Sequence, residues 1–345
     1  MGDRGLAAYT TLRLGGPARR VVEAGGAGEI VEAVRAADAA GEPVLLLGGG
    51  SNLVLADEGW PGVAVLLRSR GVAVERDADE VLHTVEAGEP WDDLVARTVA
   101  DGLAGIECLS GIPGLSGATP VQNVGAYGQE VSETVRSVRV WDRVEGAVRD
   151  VPAAECGFAY RDSAFKHSDR HVVLAVTFAL RERTLSGPVR YAELARALGV
   201  EVGEPAKLSD VRDAVLALRR SKGMVLDPDD HDTWSVGSFF TNPVLGDSET
   251  AAFERRLDPG VTAPSWPADG GTKLSAAWLI ERAGFGRGYG RGRVAVSSKH
   301  TLALTNRGGA STAELVALAR EVRDGVRTRF GVTLVPEPLL VGVAL

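Results

Sequence analysis

The chain has 345 residues, 45% of them hydrophobic and 24% charged, and a formal net charge of -8. That length implies several packed units rather than one core, and the composition is that of a folded globular protein. The negative balance, with no long run of Lys or Arg, argues against a nucleic-acid surface and leaves small anionic ligands, which need only local charge.

Met1-Gly2-Asp3-Arg4-Gly5-Leu6 lacks the apolar stretch of a secretory signal, and nowhere does the sequence approach the roughly 20 apolar residues that cross a bilayer. A cytoplasmic protein with no membrane association is expected. Across residues 28–41 the positions Ile30, Val31, Val34 and Ala37 have helical spacing, and Gly41 is a natural stop. Residues 43–47 form a short apolar run ending in three glycines, which predicts a buried strand feeding a glycine-rich turn. Further strands are expected at residues 63–67, 81–85, 135–141 and 172–180, with a helix over 91–100.

Residues 208–222 predict a helix with Val211, Val215, Leu216 and Leu218 on one face, stopped by Gly223. A polar, proline-containing region then runs to Gly271. A helix over 274–282, a loop rich in glycine and arginine through 284–292 and a strand near 301–305 follow. That loop reads as a flexible segment facing an anion. Ser311 caps a long helix, with Glu314 completing a capping box, and residues 332–343 read as a strand or an extended tail.

Two loops carry the chemistry. Gly48-Gly49-Gly50-Ser51-Asn52-Leu53 follows a strand directly, and glycines let backbone amides approach a phosphate with no Cβ in the way. It is neither a Walker loop nor a GxGxxG fingerprint, and alone it could equally be a flexible turn. Residues 111–128, which read GIPGLSGATPVQNVGAYG, form a second loop of small residues long enough to wrap an extended ligand. Cys108 and Cys156 lack CxxC spacing and read as packing residues in a reducing compartment. His167 and His171 stand four apart without a third ligand, so no metal site is expected, and His83, His231 and His300 are scattered.

The two loops together resemble the FAD-binding domain of the vanillyl-alcohol oxidase and p-cresol methylhydroxylase superfamily. Within it the whole chain resembles the longer, first type of the UDP-N-acetylenolpyruvoylglucosamine reductase family. The motifs stand in the family's order: Thr10-Thr11-Leu12-Arg13-Leu14-Gly15-Gly16, the two loops, Tyr160-Arg161-Asp162-Ser163-Ala164-Phe165-Lys166, Gly237-Ser238-Phe239-Phe240-Thr241-Asn242-Pro243, and Pro336-Glu337. The family's usual Leu-Glu-Pro-Glu-Val is here Leu334-Val335-Pro336-Glu337-Pro338, which keeps the second glutamate and loses the first acid.

The resemblance implies an α+β fold: a two-subdomain FAD-binding unit of the vanillyl-alcohol oxidase type, in residues 1–67 and 68–205, and a C-terminal α+β substrate-binding domain in 206–330. Residues 331–345 would return to the junction of flavin and substrate. It implies noncovalent FAD held by Gly48, Gly49, Gly50, Ser51, Asn52, Leu53, Ile112, Gly114, Ser116, Gly117, Gln122, Asn123, Gly125 and Tyr127. NADPH would be the hydride donor and UDP-N-acetylglucosamine enolpyruvate the substrate, contacted by Tyr191, Lys222, Asn242 and Lys273.

Hydride addition to an enol ether conjugated to a carboxylate builds an enolate, which a forked guanidinium stabilises and a positioned acid must protonate. Arg161, Ser238 and Glu337 occupy the matching positions. Taken singly, Arg161 could pair with Asp162 or Glu155, Ser238 could cap a turn, and Glu337 could be a solvated tail residue. A flavin oxidase of a sugar or hydroxy acid, and a noncatalytic nucleotide-sugar binder, are the competing functions.

Overall fold

The computed structural model describes residues 5–166, 168–290 and 292–345. Residues 1–4, His167 and Arg291 lie outside that set, and with them the N-terminal start, the structural reading of His167 and one arginine of the 284–292 loop. The chain forms two compact units: Ala18–Gly49 with Pro61–Ser221, and Met1–Pro17 with Gly50–Trp60 and Lys222–Leu345. They are called the first and second unit below.

In the first unit, strands Ala18–Ala24, Trp60–Leu67 and Val44–Leu47 lie side by side in that order. The last two are parallel, from Val44 opposite Val63 to Leu47 opposite Leu66. Helix α1, Ala27–Ala39, which joins the first of these strands to Val44–Leu47, packs Ile30, Val34 and Ala37 into the core beside them. A second sheet is antiparallel, ordered Ala147–Pro152, Val135–Asp142, His171–Glu182, Glu80–Glu86, Val72–Asp77. In Glu80–Glu86 every second residue is buried, which is the pattern of a strand with one face on the core. Helix α2, Trp91–Ala100, buries Trp91, Leu94, Val95 and Thr98, and the Trp91 ring lies 5.5 Å from that of Phe178.

Helix α3, Ala192–Leu198, is absent from the sequence expectations. It ends at Gly199, which takes the left-handed conformation with φ +69°. With helix α4, Leu208–Ser221, it shares a small core of Val189, Leu194, Ala195, Val211, Val215 and Cys108.

In the second unit the polar, proline-containing region up to Gly271 carries regular elements that the sequence did not signal. It holds helix α5, Asp247–Glu254, and a sheet ordered Val244–Leu245, Gly271–Leu274, Ser265–Ala268. Helix α6, Ala276–Arg282, begins after Ser275, whose hydroxyl accepts the Trp278 N–H, so Leu274 closes a strand instead of opening the helix. The strand expected near 301–305 is Leu304–Asn306, paired with Val294–Val296, and Thr301 lies in the preceding turn.

Helix α7, Thr312–Phe330, has the expected box of Ser311 and Glu314. Asp57 adds acceptors for the Thr312 and Ala313 N–H groups at 2.7 and 2.9 Å. Leu339–Val341 pairs in parallel with Leu53–Leu55, which brings the last segment beside residues almost three hundred positions earlier. Among the described residues no helix is long and apolar enough to cross a membrane.

Candidate active site

In the first unit, the first glycine loop sits on the second. A Cβ added to Gly49 would lie 2.7 Å from the Gly114 Cα, so the two backbones touch with no side chain between them; at Gly48 it would meet only the Leu115 side chain, at 3.6 Å. The second loop is zipped onto residues 87–91. Trp91 N–H donates to the Gly114 carbonyl, Ser116 N–H to Glu89 and Gly117 N–H to Ala87. Gly117 is required here, since a Cβ would lie 2.4 Å from that of Ala87. Ile112 packs against the core and Ser116 is fully buried. Close backbone with no Cβ is the cradle a dinucleotide's diphosphate needs, and the residues fit that group.

The end of the loop carries the arginine motif. Asn123, buried and at φ +46°, donates from Nδ2 to Glu130 Oε2 at 2.8 Å and to the Ala159 carbonyl at 3.1 Å, and its Oδ1 accepts from Ser132 N–H. Ser163 Oγ donates to Val121 O at 2.7 Å. Arg161, itself at φ +56°, donates from Nη2 to Gly125 O at 2.7 Å, and a Cβ on Gly125 would lie 2.9 Å from its Nη1. Lys166 Nζ donates to the Arg161 carbonyl at 2.8 Å. Arg161 approaches Glu130 at 3.9 Å, so its place is on the glycine loop. Gln122 is half-buried on the same stretch. The Tyr127 ring meets that of Tyr191 edge to face at 5.5 Å, and burial pushes the Tyr127 hydroxyl up to about 12. Burial raises the Tyr191 hydroxyl as well.

The second unit gathers the other motifs. Gly50, at φ +60°, would place a Cβ 2.0 Å from the Tyr9 carbonyl, and its own carbonyl accepts from Thr11 N–H. Thr11 Oγ1 donates to Ser235 O at 2.6 Å, tying the N-terminal motif to the segment before Ser238. Asn52 O accepts from Leu339 N–H, and Leu53 opens the strand that pairs with it; Ser51 lies between.

Ser238 and Glu337 belong to chain segments that run side by side. Glu337 N–H donates to the Phe239 carbonyl at 2.9 Å, Thr241 N–H to Val335 at 3.0 Å, and Phe240 bridges to Pro336. Gly237, at φ +72°, turns the chain immediately before the serine. Asn242 Oδ1 accepts from Ala276 N–H at 2.9 Å. Lys273 stands in the small sheet between Val244 and Trp266, and Lys222 follows α4. The first unit thus holds Arg161 and Tyr191, and the second holds Ser238, Glu337, Asn242, Lys222 and Lys273.

Residues 18–151 match the family described as FAD binding domain. Residues 227–341 match the C-terminal domain of UDP-N-acetylenolpyruvoylglucosamine reductase. Reductases of that name from Thermobifida fusca and Salinispora arenicola are 58% and 60% identical, each over 99% of this chain and over 97% and 95% of their own length. This chain belongs to the UDP-N-acetylenolpyruvoylglucosamine reductase family. The crystal structure of the Thermus caldophilus reductase is 25% identical and superposes with a TM-score of 0.66, covering 98% of this chain and 97% of that one.

As a UDP-N-acetylenolpyruvoylglucosamine reductase family member the chain is an FAD-containing oxidoreductase with the α+β architecture expected of it. The two cysteines have packing roles. Cys108 and Cys156 are buried thiols whose pKa is raised by burial, Cys156 to about 11, which removes nucleophilic character at neutral pH. His171 Nε2 lies 3.0 Å from Arg149, His231 stacks 4.1 Å from Trp234, and His83 is buried. Among the described residues no cluster could hold a metal.

Residues 284–290 of the loop rich in glycine and arginine make contact with α7. Phe285 fills the space beside Gly325, where a Cβ would lie 2.3 Å from its ring, and Tyr289 Oη donates to Glu321 at 2.5 Å, so the loop is tied down on α7. Sequence reasoning also missed Asp92 and Arg212, which are paired at 2.7 Å although 120 positions apart.

Proposed function

We propose that this protein reduces UDP-N-acetylglucosamine enolpyruvate to UDP-N-acetylmuramate with NADPH as hydride donor, a cytoplasmic step of peptidoglycan precursor synthesis that serves cell-wall biogenesis, cell shape and division. The observation that carries the reading is 58% identity over essentially the full length of both chains to a reductase of that name. Noncovalent FAD, when bound by Gly48 to Leu53 and by Ile112, Gly114, Ser116, Gly117, Gln122, Asn123, Gly125 and Tyr127, supplies the redox chemistry that links NADPH to the substrate.

Arg161 holds the substrate carboxylate. Its guanidinium is permanently charged and forked, so it stabilises the enolate, whose charge exceeds that of the ground state on those oxygens. The left-handed backbone at Arg161 fixes where the side chain starts, and the Gly125 carbonyl holds its Nη2 end. Ser238 delivers the proton to the enolate α-carbon. Glu337, whose N–H bonds the carbonyl of Phe239 next to Ser238 in the chain, orients the developing enolate with Arg161. Lys222, Lys273, Asn242 and Tyr191 are the residues that contact the nucleotide sugar.

The test separates the two half-reactions. Under anaerobic conditions NADPH bleaches the flavin absorbance of the purified protein, and the enolpyruvyl nucleotide sugar restores it with formation of the muramate product. Reoxidation by air alone would identify an oxidase, and absence of bleaching a binding protein. Ser238→Ala keeps the bleaching and slows the second half-reaction by roughly 10²- to 10⁴-fold, the usual contribution of a positioned acid. Unchanged turnover would remove Ser238 from the mechanism.

A further inference from the structure

Asp92 stands in the first turn of α2, beside an exposed Asp93. Either carboxylate would complement the positive end of the helix, so the helix alone does not explain why Asp92 is turned inward. Its Oδ1 accepts the Gly111 N–H at 2.6 Å and also Arg212 Nη1 at 2.7 Å, while Oδ2 accepts Arg212 Nη2 at 2.9 Å. Burial alone would raise the Asp92 pKa, and the Arg212 and Gly111 hydrogen bonds outweigh it, holding the carboxyl below its ordinary value.

Gly111 is where the second glycine loop begins, at φ +69°. Arg212 lies on α4, mostly buried. Two turns later α4 carries Arg219, which interacts electrostatically with Tyr127 at the loop's other end, and Tyr127 packs against the small core to which the same helix contributes Val211 and Val215. One helix therefore reaches both ends of a loop that would otherwise be costly to order.

We propose that Arg212 is a positioning residue for FAD binding, which acts through Asp92 to fix Gly111 and so the start of the loop that holds the cofactor. The proposal rests on FAD occupying the two glycine loops. A guanidinium is needed because only a forked donor can grip both carboxylate oxygens and leave Oδ1 aimed at the Gly111 amide; a lysine would supply charge without that orientation.

The experiment follows FAD release from the full-length holoprotein by the rise in flavin fluorescence on dilution. Asp92→Ala removes a charge-assisted acceptor from a backbone amide and speeds release roughly tenfold or more. Arg212→Met loosens that acceptor without removing it and speeds release about three- to tenfold. The double variant releases FAD no faster than Asp92→Ala alone, because Arg212 acts through Asp92; two independent structural effects would instead multiply. Multiplied rates, or an Arg212→Met protein that holds FAD as the wild type does, would overturn the proposal. Should Arg212→Met fail to fold, Arg212→Lys is measured, and retention of wild-type release by that variant overturns the proposal equally. A wild-type protein that never retains FAD defeats the cofactor reading instead, so the two failures are distinct.

Discussion

Gly49→Ala is the sharpest test of the idea that the two glycine loops form one cofactor cradle. The added methyl would stand 2.7 Å from the Gly114 Cα, a backbone atom that cannot rotate away. Carbon atoms in contact prefer about 3.5 to 4.0 Å, so the loops must part by roughly 1 Å. Gly49 is not in the left-handed region, so the penalty is steric and not conformational. Overpacking of this kind costs about 1–3 kcal/mol. If that cost falls on the arrangement that binds FAD, the dissociation constant rises about 5- to 150-fold. The measurement is a fluorescence titration of the full-length apoprotein with FAD.

Gly28→Ala provides the internal control, because its methyl, in the first turn of α1 and outside both glycine loops, meets no atom within 4 Å. It should bind FAD within about twofold of wild type, a difference of under 0.5 kcal/mol. Equal affinities for Gly49→Ala and wild type would refute the reasoning, and so would a Gly28→Ala protein as impaired as Gly49→Ala.

Two further outcomes concern stability. Asp57→Ala removes the acceptors for the Thr312 and Ala313 N–H groups and leaves the Ser311 cap in place, so the urea midpoint should fall by the equivalent of about 1–2 kcal/mol with an unchanged slope; an unmoved midpoint would show that Ser311 suffices. The Asp142 carboxyl is held well below the usual carboxylate range, first by the Arg170 guanidinium and then by the Val144 and Glu145 N–H groups. Its stabilisation is therefore complete above the unfolded-chain value of about 3.9 and is lost as pH falls toward the folded value. Asp142→Asn should flatten stability against pH on the acid side, and an acid limb identical to wild type would contradict this.

Local signals in the sequence found those elements whose apolar spacing is complete within one segment. Helix α1 with its Gly41 stop, α2, α4, the Ser311 box on α7 and the buried run Val44–Leu47 are of this kind. Helix α5 went unforeseen because it buries only Phe253, so no apolar stripe marks it. Helix α3 is two turns long and buries only Leu194 and Ala195. Leu274 misled because a strand end and a helix start adjoin within one apolar stretch.

For the site, glycine content pointed to the loops, and the structure supplies the reason for three of those glycines, namely close approach at Gly49 and Gly117 and a left-handed turn at Gly50. The pairing of Asp92 with Arg212 left no trace, since a half-buried ion pair between distant positions resembles any two surface charges. Nor does the unit built from residues up to Pro17, Gly50–Trp60 and Lys222–Leu345 carry a local signature, because its pieces meet only after folding.

The parallel pairing of Leu53–Leu55 with Leu339–Val341 sets an order of events at the ribosome. Residues 61–221 are contiguous and can collapse while translation continues, whereas strand 53–55 must wait for a partner made nearly three hundred codons later. Until then its unpaired edge offers a template to neighbouring nascent chains. Slow closure of so large a loop makes this strand the place where crowded expression would first divert the protein into aggregates.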